Sequence, residues 1–176
     1  MTKDLFLGFG SNMGERLNLI IKAFTMLIER EITLQSVSSL YLTEPLGNIE
    51  QNEFLNCVGK FEFKGDPHFL LEEIKAIEKS IGRVERFRWG PREIDIDILL
   101  FGEMILTTEK LSIPHKDIIR RKFVLVPLLE IDEELRDPRD NSLFSDHLES
   151  LGKEGWPELF LEARLFEKLI ELEVKR

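Results

Sequence analysis

The chain has a single cysteine, Cys57, among 176 residues, so neither an intrachain disulfide nor a cysteine-rich zinc site can form. Cys57 lies in an apolar segment, which predicts a buried, inert thiol. No apolar run reaches the length of a membrane span, and the opening Leu5-Phe6-Leu7-Gly8 is too short and too glycine-punctuated for a signal peptide. A cytoplasmic protein without membrane contact is therefore expected. Positive charge is scarce as well. Lysine and arginine total 24 against 33 acidic residues, and the net charge of −9 argues against non-specific nucleic-acid binding. There is no internal repeat, no low-complexity linker and no Walker-type GxxxxGKS or GxxxxGKT loop, so a glycine cradle for phosphates is excluded. Gly8-Phe9-Gly10 with Gly14 only approaches a dinucleotide fingerprint, because its spacing is wrong and no parallel βαβ units follow.

What is present suits an ordinary folded protein: 43% hydrophobic and 32% charged residues, in a length that supports one domain with a real core. A core over residues 1–136 and an extension over 137–176 belonging to the same domain are expected. Leu5 to Phe9 reads as a strand. Leu17, Ile20, Ile21, Phe24, Leu27 and Ile28 then recur at helical spacing, with Asn12 and Glu15 resembling an N-terminal capping pair. Ser36 to Leu42 suits a strand, Thr43 to Glu53 a loop, and Phe54 to Phe63 a second strand antiparallel to the first of this pair. Asp66-Pro67 opens a helix whose apolar stripe ends at Ile81-Gly82. After an arginine-rich loop, Ile94 to Phe101 reads as a strand, and Met104 to Leu106 as its short return. Strand, helix, strand, strand, helix, strand is the ferredoxin-like α+β pattern, with helices packed on an antiparallel sheet. Beyond it come a Pro114-His115 turn, a helix over Phe123 to Ile131, a polar loop from Asp137 to Ser142 and an amphipathic helix from Pro157 to Lys175.

The chemistry centres on Ile94-Asp95-Ile96-Asp97-Ile98. Residues two apart on a strand point the same way, so Asp95 and Asp97 project together, roughly 7 Å apart. An ordinary wet strand face would also place them so. However, Leu99 and Phe101 are expected to continue that face as apolar residues, and paired carboxylates at the edge of a buried face are stabilised by a divalent cation. Magnesium suits them, because it takes oxygen ligands and commonly binds one or two carboxylates together with substrate phosphates. Two positive islands flank the strand. Arg83, Arg86, Arg88 and Arg92 precede it, and Lys116, Arg120, Arg121 and Lys122 follow it. Cations placed so suit phosphoryl transfer, which depends on positioning and on neutralising phosphate oxygens. His115 either donates to a phosphate or caps the next helix. Asn56, polar in the middle of a strand, either pairs with a neighbouring loop or reads the edge of a flat heterocycle. Trp89 and Phe123 either sandwich such a ring or pack in the core.

Four blocks complete the pattern: LGFGSNMGER, SSLYLTEPLG followed by FLNCV, RWGPREIDIDILLFG, and LSIPHKDIIRRKFVLVPLLEI. In this order, over about Leu5 to Ile131, they resemble 6-hydroxymethyl-7,8-dihydropterin pyrophosphokinase of folate biosynthesis. The resemblance implies transfer of the β,γ-pyrophosphoryl unit of ATP to the pterin hydroxymethyl group, releasing AMP. It implies two magnesium ions bridged by Asp95 and Asp97, ATP as cosubstrate, and a ferredoxin-like fold with mobile loops over the site. By the same likeness Thr43, Leu46, Phe54, Asn56 and Phe123 line the pterin pocket, while Trp89 and Arg92 lie on the loop that closes over both substrates. Glu78, Arg83, Arg92, Ile98, Ser112, His115 and Arg121 contact ATP, Ile98 through its backbone at the adenine. Phe54 stands where the family often has tyrosine, Glu44 replaces a common proline, and Lys110 replaces an arginine. The loop from Arg83 to Trp89 is one residue shorter than in other members, which leaves either Glu85 or Arg86 at its second basic position.

A ferredoxin-like binding module would have no need of paired aspartates between two basic loops. A nucleotide hydrolase would have no use for a pocket at Asn56 and Phe123. The expected working unit is a monomer with small-molecule partners alone, a dimer through the C-terminal helix being the alternative.

Overall fold

The central strand explains most of the architecture. In β1 (Lys3–Ser11), Leu5, Leu7 and Phe9 point to one face of the sheet, and Phe6 points to the other with Gly8 and Gly10 in phase. From Leu5 onward this alternation gives a strand buried on both sides, as a strand inside a sheet must be. In the computed structural model, which describes residues 2–45, 51–86 and 90–176, β1 lies between β4 (Phe54–Phe63) and β5 (Asp95–Phe101), antiparallel to both. The far side of β4 pairs with β2 (Thr33–Val37) and then β3 (Leu40–Thr43). The strand β8 (Glu158–Leu161) lies outside β3 and completes the order β5-β1-β4-β3-β8. A two-stranded ribbon, β6 (Leu106–Thr107) with β7 (Ser112–Ile113), stands beside it.

Both faces are covered. Helices α1 (Arg16–Ile28), α2 (Pro67–Ile81) and α5 (Ala163–Val174) bury their apolar stripes against Leu5, Leu7, Phe9 and Phe61. Helices α3 (Lys122–Ile131) and α4 (Phe144–Ser150) close over Phe6, Val58, Leu99 and Leu100 on the other. In the first layer the Phe9 and Phe24 rings stack with centroids 4.2 Å apart, and Phe166 of α5 meets Phe24 edge-on at 5.4 Å. Such pairs contribute roughly 0.5–1.5 kcal/mol beyond their area. Cys57 is buried, as its apolar surroundings predict. Among the described residues no helix is long and apolar enough to cross a membrane.

Helix α2 forms as the sequence indicates. Asp66 accepts from the N–H groups of His68 and Phe69, Pro67 opens the helix, and Gly82 closes it at φ 105°. Elsewhere local signals yield to tertiary contacts. Asn12 does not cap α1, because its side chain is engaged by two loops described below. The expected strand from Ser36 to Leu42 is two strands, broken where the Ser38 hydroxyl accepts from the Val58 N–H at 2.9 Å. Met104 is not in the return strand, which begins at Leu106 and pairs forward with Ile113 rather than back on β5. Phe101 leaves the aspartate face: a bulge opposite Phe6-Leu7 sends Leu99 and Leu100 to one face and Phe101 to the other.

The helix expected from Pro157 to Lys175 is half a strand. Glu158–Leu161 takes the open edge of β3, and α5 starts only at Ala163. Its first N–H donates to the Ser39 hydroxyl at 3.0 Å, which in turn donates to Glu130 of α3 at 2.6 Å. Tyr41 also donates to Glu130, and burial together with that carboxylate pushes its phenol up to about 12. The extension thus shares hydrogen bonds with the sheet and with α3. Helix α4, with Phe144 fully buried, carries no sequence signal strong enough to announce it.

Candidate active site

The site begins with two missing side chains. Gly10 of β1 is in register with Asn56 on one side and Asp95 on the other, and Gly8 with Val58 and Asp97. Because β1 projects nothing at these positions, the β4 and β5 side chains face each other across a trough. The trough opens into a cavity of about 520 Å³ that also takes in Thr43, Phe54, Arg92, His115, Arg121 and Phe123.

On the β5 side, Asp95 is held by arginines. Arg83 Nη1 lies 2.8 Å from Oδ1, and Arg92 Nη1 lies 2.6 Å from Oδ2. Glu78, only 1% exposed, stands behind them: it pairs with Arg83, takes Lys75 at 2.8 Å and accepts the Ile96 N–H at 2.9 Å. Burial works against the charge on Arg83, but Asp95 and Glu78 outweigh it and hold its pKa above the usual value. Asp97 is different. Its closest cations, Arg121 and His115, stay at 3.7 and 3.9 Å. Burial and the charge of Asp95 raise its pKa, although 36% of its side chain opens to the cavity. Arg121 is kept back by Asp117 at 2.7 Å. His115 is placed by its own N–H on the Leu99 carbonyl at 2.9 Å. Its Nδ1 accepts from the Asp117 N–H at 3.2 Å, so the neutral ring carries its proton on Nε2, the nitrogen nearer Asp97. Burial lowers its pKa against the pull of Asp97.

The opposite wall is neutral. Asn56 Nδ2 donates to Thr43 Oγ1 at 2.6 Å, and the amide is 5% exposed. Phe54 and Phe123 line the same space, with the Arg121 guanidinium 5.7 Å from the Phe123 ring centre. The turn after β1 ties the flanking loops to this frame. The Asn12 Oδ1 accepts the Arg92 N–H at 2.7 Å, and its Nδ2 donates to Gln51 and to the Asn52 carbonyl, each at 3.1 Å. Ser11 Oγ donates to the Glu93 carbonyl at 2.6 Å.

The structure therefore brings Asp95, Asp97, Arg92, His115, Arg121, Thr43, Phe54, Asn56 and Phe123 to one cavity. Glu78, Arg83, Ile98 and Ser112 do not line it. Glu78 and Arg83 support Asp95 from behind, Ile98 points into the core, and Ser112 lies on β7. Arg86 turns to Glu93 in a two-toothed pair at 2.6 and 2.8 Å, and neither it nor Glu85 reaches the cavity. Leu46 and Trp89 lie outside the described residues. Sequence reasoning missed Gly8, Gly10, Asn12 and Asp117. Two glycines spaced by two on a strand were a visible signal for the trough; nothing local marks Asn12 or Asp117.

The donor set fits a hard divalent cation. Two carboxylates from one strand face a common space, and Asp97 carries a charge that burial and Asp95 both disfavour, which a cation would relieve. Asp137, Asp140 and His147 form a second cluster among the described residues, but its groups are engaged: Asp137 with Arg139, and His147 with Ser142 at 2.8 Å.

Comparison with known proteins identifies the family. The family model described as 7,8-dihydro-6-hydroxymethylpterin-pyrophosphokinase (HPPK) matches residues 6–133. The 2-amino-4-hydroxy-6-hydroxymethyldihydropteridine pyrophosphokinase of Aquifex aeolicus is 42% identical over 134 residues, which cover 76% of this chain and 83% of that protein. The Haemophilus influenzae protein of the same name is 38% identical over 151 residues, 81% of this chain and 93% of its own. In fold, the chain resembles the Plasmodium falciparum HPPK-DHPS wild type with pteroate, with a TM-score of 0.67 at 17% identity. That match covers 85% of this chain and 42% of the Plasmodium one, so the likeness extends to less than half of the larger protein.

Proposed function

Because the chain belongs to the 7,8-dihydro-6-hydroxymethylpterin-pyrophosphokinase family, we propose that the cavity over Gly8 and Gly10 is where it carries out pyrophosphoryl transfer. The enzyme is an ATP-dependent diphosphotransferase of folate biosynthesis. The hydroxymethyl oxygen of the pterin forms a bond to the β-phosphorus of ATP while the bond from that phosphorus to the α-phosphate oxygen breaks. AMP leaves with that oxygen, the pterin gains a diphosphate, and the hydroxyl proton passes to water.

The observation that carries the site assignment is the division of one cavity into a charged wall and a neutral one. On the charged wall, Arg92, Arg121 and the Nε2–H of His115 meet phosphate oxygens, where guanidinium forks and charge-assisted hydrogen bonds are strongest. On the neutral wall, Asn56 and Thr43 offer amide and hydroxyl to the edge of a pterin ring, and Phe54 and Phe123 offer their faces. Asp95 and Asp97 would hold two magnesium ions, which when bound polarise the phosphates and neutralise charge developing on them. Glu78 and Arg83 act one layer back by orienting Asp95. Ile98 and Ser112 reach ATP, in this reading, through the β5 backbone and the rim beside β7. Leu46 and Trp89 are assigned to the substrates by the family resemblance alone.

The unit β1-α1-β2/β3-β4-α2-β5, with strand order β5-β1-β4-β3, supports a ferredoxin-like description. We read residues 137–176 as part of this one domain, since β8 extends the sheet and α5 its first layer. All the site groups come from one chain, which favours a monomeric working unit, and a reaction that consumes ATP suits the cytoplasm.

The test is to incubate the protein with magnesium, ATP and 6-hydroxymethyl-7,8-dihydropterin and identify the nucleotide released. AMP that appears only with the pterin is the expected result. ADP, or AMP formed without pterin, would overturn the assignment, and chelation of magnesium should stop the reaction.

A further inference from the structure

Gly10 has no backbone reason to be glycine. It lies near the end of β1, paired with strands on both sides, and it is absent from the positive-φ positions. What it lacks is room. A Cβ built there would stand 3.0 Å from Asn56 Oδ1 and 3.7 Å from Phe54 Cδ1, the first closer than an sp³ carbon and an amide oxygen normally approach. Nor is the amide free to swing away, because its Nδ2 is engaged by Thr43 Oγ1 at 2.6 Å. Oδ1 is the end left without a described partner, and Asn56 lines the cavity. Gly8, the other glycine of the trough, is less tightly placed: the nearest atoms to a Cβ there belong to the Leu99 side chain, at 3.3–3.5 Å.

Resting on the function proposed above, we propose that Gly10 is a positioning residue for the acceptor: its missing side chain lets the Asn56 carboxamide lie against β1 with Oδ1 turned to the pterin. The same gap lies between Asn56 and Asp95 in the strand register, on the line from the acceptor wall to the charged wall. A methyl group there would displace the amide and narrow the path across which the hydroxymethyl group must reach the phosphate. It would leave the nucleotide side alone, since no phosphate-binding cation lies among the atoms it would touch. A merely structural glycine would lower stability and weaken both ligands together. Gly10 instead separates the two.

The experiment is calorimetric binding to wild type and to Gly10→Ala in magnesium buffer. A non-hydrolysable ATP analogue is titrated first, and then the pterin onto the analogue complex. Gly10→Ala should bind the analogue within twofold of wild type and the pterin at least tenfold more weakly. Pterin affinity within threefold of wild type, or equal losses for both ligands, would overturn the role of Gly10. Wild type that binds no pterin would instead overturn the function on which it rests. If Gly10→Ala does not fold, Gly10→Ala/Asn56→Ala is measured, because removal of the amide makes room for the methyl. That double variant should fold and match the pterin affinity of Asn56→Ala alone, whereas a double variant that stays unfolded counts against the proposal.

Discussion

Asp95 and Asp97 stand two residues apart on one strand and live in opposite surroundings. Both oxygens of Asp95 touch guanidinium groups at 2.6 and 2.8 Å, and those arginines are themselves anchored, Arg83 by Glu78 and the Arg92 backbone by Asn12. Asp97 faces cations at 3.7 and 3.9 Å, and Asp117 holds Arg121 in that standoff. A carboxylate with two charge-assisted partners is settled, whereas one that is buried and loosely accompanied has a charge still to be balanced. The pair is therefore asymmetric before any ligand arrives. In the proposed site Asp97 is the side prepared to receive positive charge, and Asp95 would exchange an arginine for it.

The largest effect should come from removing the open member. Asp97→Ala should lower AMP release about a thousandfold in a steady-state assay, while the circular dichroism spectrum and melting temperature stay near wild type, because the variant removes the proposed metal ligand and no core contact. Next is the anchor of the settled member. Glu78→Ala leaves the Ile96 N–H and Arg83 without their carboxylate and should cost about 3 kcal/mol in a urea unfolding titration. Unchanged stability would show that Asp95 is not held from behind. Asp117→Asn should free Arg121 to close on Asp97, so that the two aspartates become more alike; analogue affinity should fall about threefold, consistent with a partly exposed ion pair.

The smallest effect concerns the loop that brings Arg92 to Asp95. Arg86 holds Glu93 down at about 2, from an ordinary 4.5. A depressed carboxylate contributes stability that is present above the unfolded value and lost as pH falls through the folded one. The stability difference between wild type and Glu93→Gln should therefore be constant above about pH 4.5 and shrink toward pH 2, as read by denaturant titration at each pH. A difference that grows in acid would show that the pair does not tether the loop.

Where local rules sufficed, the sequence was easy to interpret. Helix α2 has its cap, its proline and its closing glycine within a few residues of one another, and β5 displays both aspartates by alternation alone. The candidate site was legible to the extent that it lies on strands or follows the family pattern. It was less legible where distant segments decide. Asn12 has the local signature of a cap, yet two loops, 39 to 80 residues away in sequence, compete for the same atoms and win. Glu158–Leu161 has helical neighbours, but it lies against a strand edge whose hydrogen bonds would otherwise face water. The bulge at Leu99 cannot be read from one strand, because it depends on how β1 meets it.

By itself the sequence determined the order of elements from β1 to β5, save for the break that separates β2 from β3, and, through its four blocks, the family and its class of chemistry. These follow from side-chain period and residue type, which are local properties. Only the tertiary structure decided which aspartate is clamped and which is open, that two glycines make the floor between the charged and the neutral wall, and that a strand near the C-terminus extends the sheet. Those depend on distances between segments remote in the chain, and such distances exist only once the core has closed.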